Sequence, residues 1–536
     1  MRSDYIRIYK SVHTWTGILT GLALFIAFYA GALTVFKEPL ARWVSPPAPA
    51  ALAVSLADSQ VLIERTLAAH PAATKGFQLN LELAEHQPAR MSWHEREEGQ
   101  DDHDALAGRH YTATLSTNGS ARIEEAQPSQ LAEFIDILHR VVGLPFDNDP
   151  ARWFMGIVAS LYALALFSGV IVLLPSLVKD FFALRAGKNL KRMWLDAHNI
   201  VGIVSLPFHI VMAITAVVFA YHDGIYALQN RLIHSGNLAG AFVGSPTAKP
   251  APRDPASMLP PPELLARASA LAPDFMPSSL QYVNLGSPRA MVRVWGTTPA
   301  SLAPRALGGF VALDPFSGKV LNSDFMPGKQ NGANLTISSF FALHMATFGG
   351  MPVRWMYFLL GLAGAWLFYS GNLLWIESRR KKAQQSGSIP EQRRDTRWLA
   401  AGTVGVCFGC ISGISLTIAA GKWLNGHVAD LNAWHWYVYY AIFFASLAWA
   451  FLRGPGRAAV ELLWLTALCT FAIPLTSLLA WLSPALGMWA HTSTLGVDLT
   501  ALAGGFMLLW AARATARRVR SGPADSVWSA PCAAKA

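Results

Sequence analysis

The chain has 536 residues, of which 53% are hydrophobic and 14% charged, against roughly a quarter charged in a soluble domain. Its mean hydropathy is +0.31, and its 19 Trp and 28 Phe sit largely in long apolar runs, which excludes an ordinary soluble protein and implies a polytopic membrane protein. The net charge of +10 fits nucleic acid, anionic lipid or membrane topology alone until its distribution is known.

Eight apolar runs are long enough to cross a bilayer: residues 12–36, 153–174, 194–221, 355–376, 399–420, 434–452, 459–481 and 496–512. The first follows Arg2, Arg7 and Lys10 but is longer than the 7–15 residues usual in a signal peptide, so it reads as an uncleaved helix within residues 1–36. Residues 37–151 are expected to form an outer domain. They open with a Pro46-Pro47-Ala48-Pro49 linker, a helix near 55–69 and strand-like runs at 76–83, 89–94 and 110–115. The second span (152–176) leads through a basic loop, 177–193, to the third (194–221). Residues 222–352 repeat the outer order with a helix near 262–271, strands near 280–285, 290–295 and 309–313, and a turn at Asp314-Pro315-Phe316-Ser317-Gly318 before Lys319-Val320-Leu321. A fourth span (353–377), a linker (378–398), a four-span region (399–515) and a tail (516–536) complete the chain. Cys407, Cys410, Cys469 and Cys532 lie in or beyond the last spans and outline neither a disulfide framework nor a zinc site.

Every second connection is basic, which places both termini in the cytoplasm by the positive-inside tendency. On that assignment the cytoplasmic side holds 22 Lys/Arg and 8 Asp/Glu, and the other side 21 and 25. Basic residues scattered beside spans report orientation and do not build a nucleic-acid surface, so no nucleic-acid partner is expected.

The spans repeat as the outer segments do. His13-x-x-x-Gly17 in the first matches His198-x-x-x-Gly202 in the third. Arg152-Trp153 and Arg354-Trp355 open the second and fourth, with Ser168-Gly169 and Ser370-Gly371 at the same later position, and Leu138-His139 and Leu343-His344 lie just upstream. A tandem helix-domain-helix unit in one orientation implies a pseudo-two-fold axis along the membrane normal. The axis pairs His13 with His198 and His139 with His344. Neutral imidazoles so paired suit axial ligation of haem iron for electron transfer, and Gly17 and Gly202 leave room for a flat macrocycle or a neighbouring helix. His209, eleven residues after His198, lies about 16 Å further along a straight helix and within about 20° of the same face. Leu24 occupies its repeat position, so His209 is either a ligand paired with His344 or a packing residue.

Arg140, Arg152 and Arg354 either bind an anionic group or anchor the interface with Trp153 and Trp355. His94, His103 and His110 stand among Glu95, Glu97, Glu98, Asp101, Asp102 and Asp104, a stretch read as a solvated loop with loose metal binding as the alternative. His427, His435 and His491 follow outside the repeat, and Cys407-Phe408-Gly409-Cys410 reads as small-residue packing within a span. No Gly-x-Gly-x-x-Gly or Walker-type loop is present, so electrons must come from another molecule.

The His-Thr-Trp-Thr-Gly helix, the paired outer domains, the Leu-His motifs and the Asp-Ala-His-Asn-Ile-Val-Gly helix resemble the PepSY-associated transmembrane family over about residues 1–380. That family includes bacterial inner-membrane ferric-siderophore reductases of the ferrioxamine reductase type. The resemblance implies a polytopic α-helical protein of about eight transmembrane helices with two periplasmic α+β domains of PepSY type. It also implies two b-type haems held by His13, His198, His139 and His344, with His209 in a Leu-Pro-Phe-His segment common in such sequences. The activity implied is reduction of ferric siderophore iron in the periplasm with release of Fe(II), using electrons from a cytoplasmic or quinol donor. The alternatives are a non-redox membrane protein that regulates or scaffolds a periplasmic protease, and a metal or siderophore transporter. The last four spans lie outside the resemblance.

Overall fold

The computed structural model describes the chain except residues 1–2, 48–53, 97–107, 179–189, 234, 237–253, 300, 302, 304–307, 383–389 and 530–536. His103 with most of its acidic neighbours, Arg2, Lys179, Arg185, Lys188 and Cys532 lie outside the described residues. The chain divides into two units. Residues 1–44, 129–220 and 355–536 form a helical unit, and residues 45–128 and 221–354 form a sheet unit.

In the helical unit, α1 (Ser3–Thr34), α5 (Asp149–Leu173), the pair α6 (Leu190–Val204) and α7 (Leu206–Ala220), and α11 (Gly350–Ser378, whose first five residues fall in the other unit) are the spans expected from the first apolar runs. Two short helices, α2 (Lys37–Val44) and α4 (Leu131–Arg140), belong here too and bury Trp43, Leu131, Ile135 and Leu138 against the membrane helices. They lie in the segment expected to be wholly outer domain. Their apolar faces recur at helical spacing, and the nearest apolar surface is α1. The third span is not straight, because α6 and α7 meet at Ser205 with a 68° bend. Pro207 has no N–H and its ring collides with the carbonyl four residues earlier, so the helix breaks there. The straight-helix spacing of His198 and His209 therefore does not hold.

The last four spans are α12 (Arg394–Leu424), α13 (Leu431–Arg453), α14 (Pro455–Leu482) and α15 (Leu495–Ser521). Among the described residues, seven helices are long and apolar enough to cross a membrane, or eight with the bent pair counted as one span. The C-terminal four are joined to the rest through Trp43. Its indole N–H donates to Asp498 at 3.0 Å, and the buried Lys422 ammonium lies 3.6 Å from the ring centroid while donating to the Trp489 carbonyl at 3.0 Å. Two buried charges on different spans thus share one aromatic wedge, each with hydrogen-bond partners, as burial in low dielectric requires.

The sheet unit contains α3 (Ser59–Ala69), α8 (His222–Leu232), α9 (Pro261–Leu271) and α10 (Gly332–Met345) with eight strands: β1 (Gly76–Asn80), β2 (Met91–Glu95), β3 (Arg109–Leu115), β4 (Ala121–Ala126), β5 (Met276–Val283), β6 (Met291–Thr297), β7 (Gly309–Leu313) and β8 (Val320–Asn322). They form one antiparallel sheet ordered β4-β3-β2-β1-β5-β6-β7-β8. The two repeats therefore share a sheet, each supplying half, and β1 meets β5 at the centre. Gln78 faces Gln281, Phe77 faces Tyr282 and Leu79 faces Leu280. Repeat mates oppose one another across Gln78 and Gln281, the self-complementary pairing that a two-fold relation produces. It also removes an exposed edge from each half. Leu79, Leu280, Tyr282, Val292 and Val311 are fully buried, and Phe77 stacks on Tyr282 with centroids 4.6 Å apart.

Truncating Tyr282 empties the centre of this seam. Tyr282→Ala is expected to cost about 3–5 kcal/mol, seen as a lower melting temperature of the detergent-solubilised protein, whereas an unchanged melt would show that the seam contributes little.

Candidate functional site

Four histidines of the helical unit share one feature, a hydrogen bond that settles which ring nitrogen carries the proton. His13 on α1 places Nδ1 2.8 Å from the Ala165 carbonyl on α5. A carbonyl only accepts, so Nδ1 bears the hydrogen and the neutral ring keeps its lone pair on Nε2. His139 at the end of α4 does the same with the Ala27 carbonyl of α1, again at 2.8 Å. His198 on α6 lies 2.9 Å from Ser370 Oγ on α11. That hydroxyl donates to the Leu367 carbonyl at 3.1 Å and so must accept from His198 Nδ1–H. His209 on α7 contacts the Tyr162 hydroxyl at 2.6 Å through Nδ1, and the same hydroxyl lies 3.2 Å from the His209 carbonyl, its proton acceptor. All four rings therefore hold the tautomer with a basic Nε2. That is the nitrogen left for a metal when Nδ1–H is engaged by the protein.

The repeat explains how two of these sites are built. Ala165 and Leu367 are repeat mates, as are Ser168 and Ser370. In the first copy His13 donates directly to the carbonyl of Ala165, and Ser168 donates to that same oxygen at 3.0 Å. In the second, Ser370 stands between the imidazole and the carbonyl. The glycine after each serine lies under the ring: a Cβ on Gly169 would sit 2.9 Å from His13 Nδ1, and one on Gly371 3.6 Å from His198 Cε1. Gly31 stands in the same relation to His139, with a Cβ placed 2.7 Å from Nδ1. By contrast a Cβ on Gly17 or Gly202 would meet nothing within 4 Å among the described residues. Gly21 is the packing half of its motif, since a Cβ there would sit 3.3 Å from Asn372 Oδ1.

His209 is the most enclosed of the four, at 3% exposure. Phe28, Tyr162 and Phe208 surround it with centroids 5.5, 6.0 and 5.6 Å away. Its Nε2 is buried with no hydrogen-bond partner among the described residues. Tyr162 and Gly364, repeat mates of each other, both converge on this ring, one holding Nδ1 and the other making room, since a Cβ on Gly364 would lie 3.1 Å from His209 Cε1. Along α1 the site has two levels. His13 marks one, and Ala27 and Phe28, which hold His139 and His209, mark the other, about 21 Å away by helical rise. His344 lies in the sheet unit, half-buried on the last turn of α10.

The donor set fits haem iron: imidazoles with Nδ1 anchored, Nε2 basic, one of them buried and bare, and unfilled glycine positions one turn from His13 and His198. Among the described residues no three His, Cys, Asp or Glu side chains gather as a metal-ion site. His435 is buried with Nε2 3.1 Å from Ser129 Oγ, and His427 is exposed beside the Asn425 carbonyl. Cys407 and Cys410 are buried free thiols.

The arginines near His139 are engaged by carboxylates. Arg140 lies 3.3–3.4 Å from Glu133, Asp136 and Asp147, and Arg152 lies 3.1 Å from Asp147. Lys37 completes the cluster, 3.2 Å from Asp136 and in contact with Glu133. Three cations face three carboxylates, which supports the anchoring role over capture of an anion. Burial opposes ionisation of Asp136, but Lys37, Arg140 and His139 outweigh it and hold the carboxyl below its usual range. Burial pulls Lys37 down while Asp136 and Glu133 raise it above its ordinary value. The supporting groups Tyr162, Ala165 and Leu367 carry no sequence signal of their own, whereas Ser168-Gly169 and Ser370-Gly371 were visible as a repeat.

Residues 10–378 match the profile of a family described as the PepSY-associated TM region. No curated protein matches the chain.

A carboxyl depressed on folding contributes stability that is complete above its unfolded pKa and is lost as pH falls through the lower folded value. Acidification below about pH 4 should therefore lower the melting temperature of the wild type. Asp136→Asn should be less stable at pH 7 and flatter over that acid range, and parallel melting curves for the two proteins would contradict the network.

Proposed function

The chain belongs to the PepSY-associated TM region family, and from that premise we propose that it is a di-haem electron-transfer protein of the bacterial inner membrane. It reduces siderophore-bound ferric iron in the periplasm and releases Fe(II), with both termini in the cytoplasm. The observation that carries this reading is the common tautomer: four membrane-unit histidines, two of them repeat mates, each with Nδ1–H engaged and a basic Nε2. Histidines that only anchor a helix at the interface have no need of it.

Haem, when bound, supplies one-electron exchange with no open coordination position for oxygen. The chain's own residues prepare for it. Ala165, Ser370, Ala27 and Tyr162 orient the imidazoles and raise their basicity by accepting Nδ1–H, and the small residues at Gly169, Gly371, Gly31 and Gly364 let the rings lie against their helices. The aromatic enclosure of His209 excludes water. Two levels of histidine suit a hydrocarbon layer about 30 Å thick. His13 and His198 form one ligand pair. His139 belongs to the other, with His344 as its repeat-related partner and His209 as the partner favoured by its bare, buried Nε2. Reduction to Fe(II) weakens a hard-oxygen chelate, which frees the iron without hydrolysing the siderophore. The electrons come from a cytoplasmic or quinol donor.

A dithionite-reduced minus oxidised spectrum of protein purified from haem-replete cells should show a b-type α band and two haems per chain, and its absence would overturn the reading in favour of a scaffold or a transporter. His13→Ala and His198→Ala should each leave one haem, and His139→Ala should remove the other. The second haem should be lost in either His344→Ala or His209→Ala, which identifies the partner of His139. If His209 is that partner, Tyr162→Phe should keep the haem and shift its midpoint potential.

A further inference from the structure

On the sheet unit, β2 and β3 set His94 directly opposite His110. His94 Nε2 and His110 Nδ1 are 2.9 Å apart, with ring centroids 4.4 Å apart. Strand alternation turns Trp93 and its partner Tyr111 toward the core and the histidine pair toward solvent. Two imidazole nitrogens bound to one ion at about 2.0–2.1 Å with an angle near 90° lie about 2.9 Å apart. The pair thus already has the spacing of two cis ligands. We propose that His94 and His110 form an open site for a divalent first-row transition-metal ion, bound through the two imidazoles with solvent completing its coordination.

Both rings are suited to it. Imidazole is a good ligand for copper, nickel, zinc and iron of this charge. Among the described residues no third His, Cys, Asp or Glu joins the pair. The site stands on no membrane histidine and is independent of the redox reading. The competing arrangement is a plain N–H···N hydrogen bond between neutral rings.

The test uses the full chain in detergent, as purified, titrated with Cu²⁺ and followed by calorimetry and electron paramagnetic resonance. The wild type should bind one equivalent whose spectrum shows two coordinated nitrogens. That equivalent should disappear in both His94→Ala and His110→Ala and persist in His427→Ala. His110→Asn keeps a polar group at this half-buried strand position and should show the same loss with an unchanged melting temperature, which separates metal loss from misfolding. Titrations of His94→Ala and His110→Ala that superimpose on the wild type, or a loss confined to one of the two, would overturn the proposal.

Discussion

An imidazole placed among membrane helices cannot leave its N–H unsatisfied, and the group that accepts that hydrogen decides which nitrogen remains basic. In this protein the accepting oxygens belong to Ala165, Ala27, Ser370 and Tyr162, each on a helix other than the one that carries the histidine. The interaction that satisfies the ring therefore also fixes the packing of α1 on α5, α4 on α1, α6 on α11 and α7 on α5. The same contacts call for glycine: where a ring must lie against a neighbouring backbone, a Cβ at Gly31 or Gly169 would come within 2.9 Å of it. Chemistry and packing of the helical unit rest on one set of hydrogen bonds.

Duplication supplies this arrangement twice but not identically. His13 reaches a carbonyl directly, whereas His198 reaches the equivalent carbonyl through Ser370. His209 has no counterpart, since Leu24 takes its place, yet both halves attend to it through Tyr162 and Gly364. In the proposed electron-transfer function, this asymmetric histidine in a symmetric frame is what distinguishes the two positions. The sheet unit turns the same duplication to another use, closing two half-sheets on each other at Gln78 and Gln281.

The C-terminal spans are joined to this frame by polar contacts within apolar packing. Trp43 links Asp498 and Lys422, and Asn372 donates to Thr403 at 3.2 Å, while within the C-terminal spans Ser412 and Ser415 pair with Thr466 and Thr470. In hydrocarbon, where apolar surface alone gives helices little reason to associate, such bonds and small-residue contacts specify the assembly.

The membrane class, the number of spans and the duplication, with its repeated histidine pattern, could be read from residue order, because hydropathy and repeats are properties of a one-dimensional pattern. So could most strands, whose alternation shows in the sequence, although β4, with its charged run Arg122-Ile123-Glu124-Glu125, hides that alternation. What residue order did not contain was which elements meet. The joining of the outer segments into one sheet depends on β1 finding β5 some two hundred residues away, and the bend at Ser205 re-aims His209 toward Tyr162. The tautomer of His13, His139, His198 and His209 is set by an atom on another helix, in two cases a backbone carbonyl that has no sequence identity at all. Periodicity reports which face of a segment is apolar, but only tertiary structure decides which hydrogen-bond acceptor stands opposite it.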